Sequence, residues 1–367
     1  MKPLLLLGEA WGEYEQRIGA GFCGPSGIEL LRMLNDAQVL RLTQTDRAYI
    51  SAYYQRGDPS QVAAIWELHR DEIFRTNVFN IHPPANRLEY FCAGKAEGIP
   101  GYPALLPSRY VRREFEPELD RLADEILAHD PNLIIGLGNT ALWALCGRTG
   151  VTKLRGTTQL TTHCASGYKL LPTYHPAAVL RQWELRPTTI VDLCKAGRER
   201  EFPDIRRPAC EIWIEPTLED IERFINDHIS GCDILSVDIE TSGSRITCIG
   251  FAPRIDLAIV IPFDDDRTKG GSYWPDLQSE RKCWQLVLRV LVDGRIRKLF
   301  QNGLFDISVL WRSYGIGVKG TLHDTMLLSH ALQPESLKGL GYLGSIYTDH
   351  GSWKVDRKLT TTIGRDK

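Results

Sequence analysis

Three acids could do chemistry together near the middle of the second half of the chain. In Leu235-Ser236-Val237-Asp238-Ile239-Glu240-Thr241 two carboxylates stand at i and i+2 of a run that reads as a short buried strand. Side chains alternate across a strand, so Asp238 and Glu240 share a face. Adjacent carboxylates among apolar residues are costly unless a cation neutralises them. Hard oxygen ligands of this kind suit magnesium or manganese. Further on, Gln301-Asn302-Gly303-Leu304-Phe305-Asp306 reads as a strand end turning into a helix that carries a third acid. Two acids on one strand and a later lone aspartate form the skeleton of a two-metal phosphodiesterase site. A second set lies in the first half: Glu9, Phe22, Asn77, Asn86 and His175, each near a glycine, a proline or the end of an apolar run.

The elements that must position the second set alternate between strand and helix. Leu4 to Leu7 is a buried-strand run ending in Gly8-Glu9-Ala10-Trp11-Gly12, and a glycine-rich loop follows from Gly19 to Gly27. Helical patterns carry Ile28, Leu31 and Leu34, then Val62, Ile65 and Leu68. Thr76 to Arg87 reads as a strand running into a proline-stiffened loop, and Pro117 to His129 as an amphipathic helix. Leu133 to Gly138 is a strand feeding a helix at Thr140, and Leu170 to Thr173 a strand ending on His175, locked by Pro176. Strand–helix alternation of this kind predicts a three-layer α/β domain with a mainly parallel sheet, and loops after four strands would collect the five residues.

This set resembles the uracil-DNA glycosylase superfamily, nearest its family four branch. The matching elements are Gly8-Glu9-Ala10-x-Gly12, Gly19-x-x-Phe22-x-Gly24-x-x-Gly27, Asn77-Val78 through Pro83-Pro84-x-Asn86-Arg87, Ile135-x-Leu137-Gly138 and His175-Pro176-Ala177. The resemblance implies that Phe22 stacks on a flipped base, Asn77 reads its Watson–Crick edge, and His175 hydrogen-bonds the uracil O2 as the glycosidic bond breaks. It gives Glu9 and Asn86 the task of positioning water or stabilising the oxocarbenium-like sugar. Trp11 stands where the family has proline, and Ile81 where family four has a cluster cysteine; the N-terminal cysteine pair is absent too. No iron–sulfur cluster is expected, and any uracil excision is expected to be weak and independent of iron.

In the second half, Glu211 to Glu215 reads as a strand, Thr217 as a helix cap, and Leu218, Ile221, Ile225 and His228 as one helical face. Three strands follow in antiparallel order, then a helix from Cys283 to Val292: the RNase H-like order. Val237-Asp238-Ile239-Glu240-Thr241 resembles the first motif of DEDD-type 3'-5' exonucleases in the form found beside A-family DNA polymerases. Asn302 to Asp306 is similar to their second motif, and His323-Asp324-Thr325 resembles the helix start that follows it in phage-type polymerases. The resemblance implies that Asp238, Glu240 and Asp306 bind Mg2+ or Mn2+, and it asks for a fourth carboxylate in a Tyr-x-x-x-Asp or His-x-x-x-Asp pattern. Tyr347-Thr348-Asp349 has the wrong spacing, and the run Gly351 to Lys367 resembles the segment just before that motif. The exonuclease-like domain is therefore expected to be C-terminally incomplete.

Composition narrows the rest. A net charge of −2 gives no global basic surface, so contact with nucleic acid must be local. The nine cysteines are scattered without a C-x-x-C pair, which argues against a disulfide framework or simple zinc site and favours a reducing, cytoplasmic setting. The expected organisation is a glycosylase-like domain over 1–195, a charged, proline-containing linker over 196–210, and an RNase H-like domain over 211–367. The chain reads as the amino-terminal portion of a phage-type DNA polymerase, acting on single-stranded DNA or a primer 3' end, with a separately encoded polymerase domain as a partner. A non-catalytic module binding DNA or that polymerase, and the remnant of a split gene, stay open.

Overall fold

The structure, a computed structural model, describes residues 4–268 and 270–350. The chain forms two compact units, Met1–Arg207 together with Gly341–Lys367, and Pro208–Leu340.

In the first unit, strands β1 (Leu4–Ala10), β2 (Ile73–Phe79), β3 (Cys92–Ala93), β4 (Tyr110–Val111), β5 (Ile134–Leu137), β6 (Gln159–Leu160) and β7 (Lys169–Thr173) appear in chain order. The main sheet has the order β2-β1-β5-β7-β6, with only β6 antiparallel to its neighbour, while β3 and β4 pair separately. Leu4 to Leu7 are all buried, as a central parallel strand covered on both faces requires. Helix Pro25–Asp36 starts on a proline at its first position and buries Ile28, Leu31 and Leu34. Helix Ser60–Leu68 buries Val62 and Ile65, but Leu68, expected inward, is 61% exposed because the helix ends at that residue. Parallel strands end on one edge of the sheet. There Gly8 of β1 is registered against Asn77 of β2, and Leu137 of β5 against Thr173 of β7.

Helix Leu185–Glu199 runs into the stretch expected as linker and buries Lys195 and Ala196. The second boundary also differs from the expected 211–367, since among the described residues 341–350 group with the first unit.

The second unit holds β8 (Glu211–Ile214), β9 (Ile234–Ser242), β10 (Arg245–Arg254), β11 (Leu257–Pro262), β12 (Arg297–Phe300) and β13 (Leu322–Asp324), in sheet order β13-β12-β9-β10-β11-β8. Strands β9, β10 and β11 are the expected antiparallel run, and β12 lies parallel to β9. Thr217 caps its helix by accepting a hydrogen bond from the Asp220 amide at 3.1 Å. A π-helical turn at Ile225–Ile229 adds a buried Ile229 to the apolar face, on which the half-buried His228 packs against Phe224 with ring centroids 5.1 Å apart. Among the described residues, no helix is long and apolar enough to cross a membrane.

Candidate functional site

Glu9, Phe22, Asn77, Asn86 and His175 line one pocket of about 380 Å³ at the carboxyl edge of the first sheet. Their positions differ in one respect from the expected loops: Glu9 and Asn77 sit inside β1 and β2. A strand holds a side chain more rigidly than a loop, and these two are the residues whose direction is fixed by the pleat.

The close approach of the strands depends on glycine. A Cβ at Gly8 would stand 2.1 Å from Asn77 Oδ1 and 2.6 Å from Phe22 Cζ. Phe22 has a left-handed backbone (φ 60°), and its carbonyl accepts from the Trp66 indole at 3.0 Å. The Phe22 ring lies 6.4 Å from that of His175, the two planes inclined by 28°. Asn77 is buried, and its Nδ2 has no hydrogen-bond partner. A buried amide donor without a partner is costly unless a ligand supplies the acceptor.

His175 follows β7 and caps the helix Pro176–Arg181: its Nδ1 accepts from the Ala177 amide at 3.2 Å. With Nδ1 an acceptor, the neutral ring carries its proton on Nε2 as a donor. Burial, opposed by the nearby Glu9 charge, holds the imidazole below its ordinary range, which favours that neutral form. Thr140 donates to Glu9 Oε2 at 2.7 Å and so occupies one of its two oxygens. Asn86, also left-handed at φ 54°, has its Oδ1 3.1 Å from His82 Nε2, while His82 Nδ1 lies 3.0 Å from Gln16 Oε1. A neutral ring satisfies both amides only if one of them turns its nitrogen toward it.

Glu15 is a functional residue that sequence reasoning did not assign. Its carboxylate accepts from the amides of Cys23 (2.8 Å), Gly24 (3.1 Å) and Gly12 (3.1 Å), so it ties the Phe22 loop to the loop after β1. Two of its partners lie eight and nine residues away, beyond any local spacing signal.

The second set is arranged differently. Strand β9 is not buried on both faces: Leu235, Val237 and Ile239 face the core, while Asp238 and Glu240 are exposed on the other side. Asp306, in the first turn of helix Leu304–Tyr314, is 4% exposed, and its Oδ1 accepts from the Ile239 amide at 3.1 Å. Burial first, and the neighbouring Asp238 and Asp324 charges, push its carboxyl up to about 6. Asp324 is taken up structurally. It accepts from the amides of Asn302 (3.1 Å), Gly303 (2.7 Å), Met326 (2.8 Å) and Leu327 (3.4 Å), bridging the turn after β12 to the helix it caps. Asp349 pairs with Arg198 at 3.3 Å within the first unit. The donor chemistry of Asp238, Glu240 and Asp306 fits a hard divalent cation, and the raised Asp306 carboxyl is what such a cation would relieve. The tight trio expected of them is not formed: among the described residues, no three Asp, Glu, His or Cys side chains are gathered as a ligand set. Asp306 is turned onto a backbone amide instead. The closing run Gly351 to Lys367 lies outside the described residues.

Residues 2–195 match the family model described as the uracil DNA glycosylase superfamily. The chain belongs to this superfamily. Residues 214–358 match a second model, a 3'-5' exonuclease, so that a glycosylase-superfamily domain is fused to an exonuclease domain as in phage-type polymerases. Among curated relatives, the type-4 uracil-DNA glycosylase of Sulfurisphaera tokodaii is 26% identical over 227 residues, covering 60% of this chain and 75% of that protein. The DNA polymerase of Bacillus phage SP01 is 25% identical over 248 residues, covering 59% of this chain; the chain spans only 25% of that polymerase. Among solved structures, Brucella melitensis NrnC with bound Mg2+ is 20% identical, covers 40% of this chain and 64% of its own, and has a TM-score of 0.27.

Proposed function

We propose that this superfamily member is a DNA-processing protein of replication or repair, whose first domain binds an everted pyrimidine of the uracil class and hydrolyses its N-glycosidic bond. The observation that carries this reading is the convergence of five residues on one pocket with an unpartnered buried amide, Asn77 Nδ2, in its lining. A uracil edge offers the carbonyl acceptor that this amide lacks, and Phe22 offers the stacking face. Cleavage leaves negative charge on the base, spread onto O2. A neutral His175 with its proton on Nε2 stabilises that charge by donating to it, without needing to give up the proton. Glu9, fixed by Thr140, is placed to orient a water or to face the cationic sugar.

The second domain, on this reading, removes nucleotides from a DNA 3' end. Asp238 and Glu240, joined by Asp306, are the residues that would hold Mg2+ or Mn2+. Such an ion supplies positive charge to the attacking and leaving oxygens of phosphodiester hydrolysis. A DNA polymerase domain is the partner that the match to the phage polymerase supports.

The test is excision from a single-stranded oligonucleotide bearing one uracil, read as alkali-sensitive cleavage, beside affinity for an abasic-site oligonucleotide. Turnover should fall on the order of 100-fold or more in His175→Ala, as for loss of a charge-stabilising donor, and Asn77→Ala should weaken binding as well. Absence of both excision and uracil-dependent binding in the intact chain refutes the reading.

A further inference from the structure

The far end of the chain contributes to the first domain. Behind β7 lies a buried charged cluster of Arg155, Asp192 and Lys195. Asp192 takes a two-pronged hydrogen bond from the Arg155 guanidinium, the Nε contact at 2.7 Å, and a third bond from the Thr173 hydroxyl at 2.6 Å. This cluster holds two cations and one anion, so its remaining donors need acceptors. Residues 341–350 supply them. Arg155 Nη1 donates to Ser345 Oγ at 2.9 Å, and its guanidinium lies 5.5 Å over the Tyr342 ring. Lys195 donates to the carbonyls of Thr348 (2.6 Å), Ser345 and Gly156 (3.3 Å). Tyr342 and Thr188 share a hydrogen bond of 2.8 Å between their hydroxyls.

Thr173, held by Asp192, is the last residue of β7, and His175 stands two residues further on. His175 has little room to adjust on its other side, where a Cβ at Gly138 would lie 3.2 Å from its own Cβ. We propose that residues 341–350, which follow the exonuclease-like unit in sequence, are a positioning element of the base pocket: through Arg155, Asp192 and Thr173 they fix the end of β7 and so the ring of His175. Asp192, Tyr342 and Ser345 are thereby positioning residues, touching no substrate. The inference takes its significance from the proposed base excision, but its test uses no substrate, so either can fail alone.

The experiment compares the full chain with the double variant Tyr342→Ala/Ser345→Ala and with Tyr342→Phe, which keeps the ring over Arg155. In nitrogen-15 histidine spectra, the signal lost in His175→Ala identifies His175, and it should report one tautomer with the proton on Nε2. The double variant should shift that signal toward the tautomer-averaged position and speed amide exchange of residues 169–175 about tenfold or more. Residues 73–79 should exchange as before, and Tyr342→Phe should behave as wild type. An unchanged His175 signal overturns the proposal. So does equal acceleration across residues 4–10, 73–79 and 169–175, which would make the segment a general stabiliser and no more.

Discussion

The two candidate sites of this chain solve opposite electrostatic problems. The glycosylase-type pocket is assembled from neutral or individually satisfied groups: His175 is kept uncharged by burial, Glu9 is held by Thr140, and Glu15 is neutralised by three backbone amides. Its geometry is set by backbone and glycine packing. The exonuclease-type face carries two exposed acids on β9 and a third, Asp306, buried behind them with its carboxyl pushed up. One site is organised before its ligand arrives. The other gathers like charges around a buried carboxyl that burial has already pushed up.

If that contrast is right, the pocket should be most sensitive to steric change. Gly8→Ala places a methyl 2.1 Å from Asn77 Oδ1 and 2.6 Å from the Phe22 ring, so both must move. Affinity for a uracil-containing single strand should fall on the order of 100-fold, a loss of about 2.7 kcal/mol, while the second unit keeps its melting behaviour. Gel-shift titration checks the first and hydrogen exchange of residues 234–251 the second. Wild-type affinity would mean that Asn77 and Phe22 do not read the base. Next in size is Glu15→Gln. The amide keeps the shape but offers one oxygen to three donors, and its NH2 faces one of them. Hydrogen bonds to a charged acceptor contribute roughly 1.5–3 kcal/mol each, so a loss of about 2–3 kcal/mol is expected in the urea unfolding of the first unit. A loss below about 0.5 kcal/mol would show that the Phe22 loop does not depend on this carboxylate.

The same contrast explains what was legible in the sequence. Strand alternation placed Asp238 and Glu240 on one face, and the order of apolar runs and glycines placed Glu9, Asn77 and His175 along one sheet edge, because both follow from local periodicity. The burial of only one face of β9 was missed, since alternating isoleucine, valine and leucine read the same whether or not the other face is covered. Helix Gln44–Arg56 buries only Asp46, Ile50 and Tyr53 and leaves almost no periodic signal. The roles of Glu15, Thr140 and Asp324 rest on partners between 8 and 131 positions away, or on backbone amides, which no spacing rule announces. Nor does composition reveal that Tyr342 and Ser345 serve the first unit, when more than a hundred residues of another unit come between.

The smallest expected effect tests the electrostatic half of the contrast. Asp306→Asn keeps an oxygen for the Ile239 amide and removes the charge. The folded carboxyl titrates at about 6 against an ordinary 3.8, so between those values the folded state holds a proton that the unfolded chain releases. Its stabilising contribution is therefore full below about pH 4 and is lost as pH rises through 6. At pH 7.5 without metal, the ionised Asp306 costs the second unit on the order of 2 kcal/mol once solvent screening is allowed for, and the asparagine variant should melt roughly 7 °C higher. At pH 4 the two should melt together. Adding Mn2+ should reverse the order at pH 7.5, because a cation binding beside Asp238 stabilises the ionised form and gains nothing from an amide that carries no charge. Equal stabilisation of both proteins by Mn2+ would remove Asp306 from the ligand set and leave its raised carboxyl a consequence of burial alone.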